Sequence, residues 1–229
     1  LNKLNKRFVL MSNAPRPSKS VKKFLLNLKM DEIFTENVFT SGEAALKSIQ
    51  QNKYGEKFYH LGPERDKSLF EGLEKNKRSL KEADFILCTG FLENKENSSD
   101  FYKNLLKKHV KIKMICTNPD LIVHRGSKRE YCAGTIAKIF YELGGEVVYF
   151  GKPYPEIYKF CATKDEKILV VGDNIRTDIK GANNMKFDSL FITSGIHKNE
   201  FLNLTLENYE KVLEKYGAKV NYYQERLTW

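Results

Sequence analysis

The sequence has no long apolar run and no closely spaced pair of cysteines. No stretch approaches the roughly 18 apolar residues that a transmembrane helix needs, so we expect no membrane partner. The four cysteines form no Cys-x-x-Cys pair, and no histidine lies at zinc-ligand spacing from them. We interpret them as small, mostly buried side chains in the reducing environment of the cytoplasm. They are Cys88, Cys116, Cys132 and Cys161.

The chain also has no long basic segment, although it is basic overall. Lys and Arg number 39 against 29 Asp and Glu, a formal net charge of +10. Such a balance can indicate a nucleic-acid partner. Here the basic residues recur mostly as pairs, such as Lys22-Lys23 and Lys107-Lys108, and most pairs have acidic neighbours. This pattern favours a lysine-rich solvated surface, and we expect no nucleic-acid partner.

Short apolar runs alternate with longer amphipathic segments, which predicts an α/β protein. With 229 residues, 41% of them hydrophobic, the chain can bury a substantial core. Several strands are continuous apolar runs, which predicts a parallel sheet covered on both faces. The predicted strands are residues 8–11, 57–61, 85–88, 112–116, 147–150, 168–171 and 190–193. The predicted helices are residues 18–28, 41–51, 100–108, 135–143, 155–163, 177–184 and 204–216.

The clearest chemical pattern is a strand that ends in Gly172-Asp173, with Asp178 near the start of the next helix. Ligand sites of open α/β sheets lie at the carboxyl ends of strands. Two carboxylates there form a hard oxygen site that suits Mg²⁺. Taken alone, the pattern is equally compatible with Asp173 as a turn residue and Asp178 as a helix-start residue.

Two further polar residues follow apolar strands. Lys152, between Gly151 and Pro153, could present a fixed positive charge to a phosphoryl group. Ser12, with the backbone N–H groups beside it, could bind a phosphate. Each also has a plain interpretation, a surface lysine in a turn and a simple Ser-Asn turn.

Taken in order, Ser12, Lys152 and Asp173 with Asp178 resemble the second, third and fourth motifs of the haloacid dehalogenase (HAD) superfamily. The long segment between Ser12 and Lys152 resembles the inserted α/β cap of subfamily IIA, marked by residues 116–120, Cys-Thr-Asn-Pro-Asp. That subfamily includes the p-nitrophenyl phosphate and pyridoxal phosphate phosphatases. The resemblance implies a Rossmann-like parallel-sheet core in residues 1–40 and 131–229 and an α/β cap in residues 41–130.

The resemblance also implies a magnesium-dependent phosphatase of a small phosphorylated metabolite. Ser12 would bind the phosphoryl group, Lys152 would neutralise its charge, and Asp173 would bind Mg²⁺ directly. Asp178 would hold Mg²⁺ through water or steady Lys152. The implied substrate-binding residues are Asn13, Asp120 and His124. Taken alone, a residue such as His124 is more often an ordinary surface histidine than a substrate-binding residue. A homodimer formed through the cap stays an open alternative.

The family's first motif, Asp-x-Asp, has no counterpart, since no two aspartates of the chain are separated by a single residue. In the family its first Asp attacks phosphorus and its second handles the proton. We therefore expect an N-terminally truncated chain without turnover, whether as a fragment, a decaying gene or the partner of a separately encoded N-terminal segment. The alternative is a non-catalytic relative that binds a ligand or a protein. We also expect two apolar strand edges to lack a neighbour.

Overall fold

The computed structural model describes residues 6–95, 98–125, 128–163, 165–202 and 205–228, without the side chains of residues 124, 125, 128, 206 and 207. The chain divides into two compact units, residues 1–151 and residues 152–229, called here the first and the second unit. Six of the seven strand pairings in the described residues are parallel. The predicted α/β architecture is thus confirmed. The predicted boundaries after residues 40 and 130 stay predictions.

The first unit contains most of the secondary structure. Its strands are β1 (Leu10–Ser12), β2 (Val38–Thr40), β3 (Phe58–Leu61), β4 (Phe85–Cys88), β5 (Lys113–Cys116), β6 (Ile122–Arg125), β7 (Lys128–Tyr131) and β8 (Val147–Tyr149). Its α-helices are α1 (Ser18–Asn27), α2 (Glu32–Thr35), α3 (Ser41–Gln50), α4 (Ser99–Leu106) and α5 (Ala133–Glu142). Two 3₁₀ helices, Glu64–Phe70 and Glu74–Asn76, follow β3.

A four-stranded parallel sheet, in the order β3-β4-β5-β8, forms the centre of the first unit. Every residue of β4 is buried, as its continuous apolar sequence predicts for a strand covered on both faces. Helices α4 and α5 contribute Tyr102 and Phe140 to the same hydrophobic cluster, and both side chains are fully buried. Burying a side chain of this size stabilises the fold by about 1.5–3 kcal/mol.

Strand β1 pairs in parallel with β2, and Ser12 lies opposite Thr40. Thr40 is fully buried and caps α3, because its hydroxyl accepts a hydrogen bond from the Glu43 backbone N–H at 3.0 Å. The same hydroxyl donates to the Arg16 carbonyl at 2.7 Å. One hydroxyl thus fixes both the start of α3 and the segment that follows β1.

Two paired strands lie in residues 122–131, for which we predict neither a strand nor a helix from the sequence. Strands β6 and β7 pair in antiparallel fashion, with Ile122 opposite Tyr131. Their apolar alternation is too short to predict strands from the sequence.

The second unit contains three strands and four short helices in its described residues. They are α6 (Pro155–Tyr158), β9 (Leu169–Gly172), α7 (Lys180–Met185), β10 (Asp188–Ile192), α8 (Lys198–Phe201), α9 (Leu206–Lys215) and β11 (Tyr222–Gln224). The strands form a parallel sheet in the order β11-β10-β9. Phe191 of β10, Phe201, Tyr209 and Leu213 pack together into the core of this unit.

The helix predicted over residues 177–184 begins earlier and in a different form. A π-helical turn, Ile175–Ile179, precedes α7 and carries Asp178. The N–H groups of Asp178 and Ile179 both donate to the Asn174 carbonyl, at 2.8 and 3.3 Å. The helix predicted over residues 155–163 is shorter and ends at Tyr158.

Among the described residues, every strand except β4, β5 and β10 has an edge without a neighbouring strand. β1 pairs only with β2, and β9 pairs only with β10. Leu169 and Val171 of β9 are 49% and 38% exposed, so the prediction that this apolar run is covered on both faces is wrong for β9. Helix α1 likewise contains no buried side chain, and its Phe24 is 54% exposed. Each described helix falls short of the length and apolar character of a membrane span.

Replacing Thr40 tests the link between β2 and α3. Thr40→Ala removes the cap of α3 and the hydrogen bond to Arg16, so we expect the free energy of unfolding to fall by about 1–2 kcal/mol. Thr40→Ser keeps the hydroxyl, so its free energy of unfolding should fall much less. Urea unfolding followed by circular dichroism measures both. Equal losses in the two variants would contradict the role of the hydroxyl.

Candidate active site

The end of β9 places two carboxylates close to the strand. Asp173 follows Gly172 directly, and the π-helical turn directs Asp178 back to the same strand end. A Cβ atom on Gly172 would lie 2.3 Å from the Asp178 carboxyl carbon. Residue 172 must therefore be glycine for Asp178 to approach the strand this closely.

Asp178 forms an ion pair with Lys152 in a partly desolvated position. The Lys152 ammonium donates to Asp178 Oδ1 at 2.8 Å, and the side chains are only 17% and 10% exposed. The other carboxylate oxygen accepts from the Asn174 backbone N–H at 3.1 Å. Both oxygens of Asp178 are thus occupied, and the contacts join Lys152 to the turn that follows β9.

Asp173 is held by the loop after β10. Its Oδ2 accepts a hydrogen bond from the Ile196 backbone N–H at 3.0 Å. A Cβ atom on Gly195 would lie 2.1 Å from the same oxygen, so the loop can pass Asp173 only with glycine there. Oδ1 of Asp173 has no hydrogen-bond partner in the described part of the chain and can accept an external ligand.

Tyr158 adds a neutral hydroxyl near the Asp178 carboxylate. Its side chain is 2% exposed, and its OH has no hydrogen-bond partner among the described residues. Burial raises the pKa of Tyr158, and the negative charges of Asp178 and Cys161 raise that pKa further. Tyr158 therefore stays protonated at neutral pH. Sequence reasoning missed Tyr158, because a tyrosine in a short amphipathic helix is usually a packing residue.

In the first unit, the predicted substrate-binding residues Asn13 and Asp120 contact each other. The Asn13 side-chain amide donates to Asp120 Oδ1 at 3.0 Å, and Asn13 is 8% exposed. The Asp120 N–H donates to Asn118 Oδ1 at 3.0 Å, which shapes the turn after β5. The Ser12 hydroxyl accepts from the Ala14 N–H at 3.2 Å. The side chain of His124 lies outside the described residues.

The predicted site residues thus fall into two groups. Lys152 and Asp178 are in direct contact, and Asp173 lies on the same strand end. Ser12, Asn13 and Asp120 belong to the first unit. That Ser12 serves the same phosphate as Lys152 stays a prediction from the sequence.

A magnesium site must be tested against the donor atoms present. The described residues contain no group of three His, Cys, Asp or Glu side chains that could hold a metal ion. Mg²⁺ does not require such a group, since proteins commonly bind it through one or two carboxylates, with phosphate oxygens and water as the other ligands. Asp173, with Oδ1 available, fits that type of site. Asp178 fits it less well as a direct ligand, because its oxygens already bind Lys152 and Asn174.

Sequence reasoning missed a polar pair at the ends of β3 and β4. The His60 Nε2 atom lies 2.9 Å from the Thr89 hydroxyl, and the His60 ring packs on Phe70 with centroids 4.8 Å apart. His60 is 5% exposed. Burial, and next the charge of Lys77, lower its pKa from 6.5 to about 4, although Glu64 opposes them. The position of His60 near the end of an apolar strand was the available signal.

Several known proteins resemble this chain in sequence. A profile of the family described as HAD-hydrolase-like matches residues 149–217. The 5'-nucleotidase YutF of Bacillus subtilis (strain 168) is 24% identical over 203 residues, which are 86% of this chain and 77% of YutF. The ribonucleotide monophosphatase NagD of Escherichia coli (strain K12) is 32% identical over 88 residues, which are 37% of this chain and 34% of NagD.

Solved structures resemble the chain over nearly its whole length. A hydrolase of the haloacid dehalogenase-like family from Brucella suis 1330 is 27% identical with a TM-score of 0.77, covering 96% of this chain and 83% of that one. The p-nitrophenyl phosphatase from Archaeoglobus fulgidus is 21% identical with a TM-score of 0.74, covering 98% and 85%. At 21% identity the second likeness supports the fold alone.

The lowered pKa of His60 predicts acid sensitivity of the first unit. The folded state favours neutral His60, so the unfolded chain binds the proton at higher pH. The contribution of His60 to the free energy of unfolding is then fully present above pH 6.5 and is lost as the pH falls towards 4. At pH 5 the loss is roughly 2 kcal/mol relative to neutral pH. Urea unfolding at pH 7 and pH 5 measures this loss.

His60→Gln should remove much of that pH dependence, because glutamine cannot take up the proton. His109→Gln, at a partly exposed histidine of the same unit, is the matched control. An unchanged pH dependence in His60→Gln would contradict the assignment.

Proposed function

Because the chain belongs to the haloacid dehalogenase-like (HAD) hydrolase superfamily, we propose that it recognises the phosphate group of a small phosphorylated metabolite, as a phosphate-monoester phosphatase would. The observation that carries the proposal is the Lys152–Asp178 ion pair at the strand end that bears Asp173. A cation held there in a partly desolvated position attracts a phosphoryl group more strongly than a free surface lysine.

Each residue has a distinct role in the proposal. The Lys152 ammonium neutralises negative charge on the phosphoryl oxygens. Asp178 is a positioning residue, because it holds Lys152 at 2.8 Å and also binds the Asn174 N–H. Ser12 donates its hydroxyl to a phosphoryl oxygen. Asn13, Asp120 and His124 recognise the rest of the substrate.

Mg²⁺ is the cofactor in the proposal, with Asp173 Oδ1 as its protein ligand. When bound, the ion would stabilise negative charge on the phosphate oxygens. Asp173 is prepared for this role because the Ile196 N–H and the close approach of Gly195 restrict its other oxygen. Asp178 contributes through Lys152, or through water, instead of as a direct ligand.

Hydrolysis by these 229 residues alone is not part of the proposal. The superfamily's reaction uses an Asp-x-Asp motif, and the residues contain none. This observation favours a second candidate function, a non-catalytic relative that binds a phosphorylated ligand or a protein partner. The two candidates differ in turnover and agree in phosphate binding.

The proposal also covers substrate class, location and partners. The names of YutF and NagD refer to nucleotides, so a nucleoside monophosphate is a reasonable probe beside a generic ester. A cytoplasmic location would keep the four cysteine thiols reduced. A homodimer through the cap and a separately encoded N-terminal segment stay predictions, as does the absence of a nucleic-acid partner.

Binding and turnover can be measured on the purified 229-residue polypeptide. We expect inorganic phosphate to bind in the presence of Mg²⁺ when followed by calorimetry. Lys152→Gln should weaken binding about tenfold or more, because a charge-assisted hydrogen bond is lost. Asp173→Ala should remove the dependence on Mg²⁺. The control Lys167→Gln changes the net charge equally at an exposed site and should bind as the wild type does.

We expect no Mg²⁺-dependent release of phosphate from p-nitrophenyl phosphate or AMP. Turnover that Asp173→Ala abolishes would contradict the absence of a nucleophile. Phosphate binding that Lys152→Gln leaves unchanged, in a variant with a normal thermal transition, would contradict the proposed site itself.

A further inference from the structure

A basic pocket in the second unit is formed by residues other than those of the proposed phosphate site. It has a volume of about 480 Å³. It is lined by Arg176 of the π-helical turn, Lys180 of α7, Glu200 of α8, and Lys215 and Tyr216 at the end of α9. The pocket therefore gathers three cations and one carboxylate from four separate elements.

The one carboxylate is already occupied by its neighbours. Glu200 Oε1 lies 2.6 Å from His197 Nδ1, and Glu200 Oε2 accepts from the Tyr216 hydroxyl at 2.6 Å. The bond from Tyr216, and then that from His197, lower the pKa of Glu200, so it stays ionised. No ion pair joins Glu200 to Arg176, Lys180 or Lys215 in the described part of the chain. The three cations thus make no ion pair in the described part of the chain, although the charge of Arg176 also lowers the pKa of Glu200.

Arg176 is held with its hydrogen-bonding edge available. Its guanidinium carbon lies 4.8 Å from the centroid of the Tyr216 ring, so the guanidinium packs on the ring. The guanidinium makes no hydrogen bond with the described residues, so its N–H groups can donate to phosphate oxygens in pairs.

The two lysines add further donors. Lys180 donates one hydrogen bond, to the Gly217 carbonyl at 2.7 Å, which fixes its direction and leaves two donors. The Lys215 ammonium makes no ion pair or hydrogen bond with the described residues. Three cations against one carboxylate leave a net charge of about +2. The C-terminus of α9 opposes this with only about half a negative charge.

We propose that this pocket binds a small anion with two or more negative charges of the phosphate type, for which inorganic pyrophosphate is the simplest probe. The volume is within the roughly 300–1,000 Å³ typical of small-molecule sites. The Tyr216 ring packs against Arg176 and against His197, whose centroid lies 5.1 Å away. The ring is therefore a poor platform for a nucleobase, and the charge of the anion determines recognition.

Calorimetric titration of the 229-residue protein with pyrophosphate, at low salt and without Mg²⁺, tests the pocket. We expect one binding event that Arg176→Gln and Lys215→Gln each weaken about tenfold. Lys167→Gln removes the same charge at an exposed site of the same unit and should leave the affinity unchanged. Because the pocket does not depend on the proposed function, Lys152→Gln should also leave this binding event in place.

Three outcomes would overturn the proposal. The first is the absence of pyrophosphate binding. The second is an equal loss of affinity in Lys167→Gln, which would indicate an effect of net charge alone. The third is a loss of affinity in Lys152→Gln without one in Arg176→Gln, which would place the anion at the proposed phosphate site. Arg176 and Lys215 are exposed, so both variants should fold, and thermal unfolding of each checks this.

Discussion

The ion pair between Lys152 and Asp178 is the contact on which the candidate site depends. Through it, a residue at the start of the second unit is fixed to the π-helical turn that follows β9, and Asp173 lies between β9 and that turn. A pair this poorly exposed has lost much of its hydration, so its net contribution to stability can be small. Its value lies in geometry, because moving either side chain away would break a charge-assisted contact in a partly buried position. Gly172 and Gly195 serve the same geometry by letting Asp178 and Asp173 approach the backbone closely.

Strands β9 and β4 differ in their surroundings. In the described residues, β9 has a neighbour on one edge only, and its apolar side chains are half-exposed. Strand β4 of the first unit lies between two strands and is buried throughout. The contrast separates two uses of an apolar strand. β4 stabilises a core, whereas β9 mainly carries polar residues at its carboxyl end, where α/β sheets bind ligands.

Local patterns in the sequence predicted much of this arrangement. The apolar run of β4, the helix that begins at residue 41 and the Gly172-Asp173 strand end each depend on a few adjacent residues, so periodicity and turn chemistry identify them. The π-helical turn was missed because it differs from an α-helix by a single hydrogen-bond register. Strands β6 and β7 were missed because they are short. The basic pocket could not be predicted, since Arg176, Glu200 and Lys215 meet only through tertiary packing.

A double-mutant cycle of Lys152→Met and Asp178→Asn tests the central claim most directly. Urea unfolding of the wild type, the two single variants and the double variant gives the coupling free energy between the side chains. We predict a favourable coupling of about 1 kcal/mol or more. The exposed pair Lys138 and Glu142 of α5 serves as the control and should give about 0.5 kcal/mol or less. A coupling between Lys152 and Asp178 no larger than that of the control would contradict the claim that this ion pair fixes the candidate site.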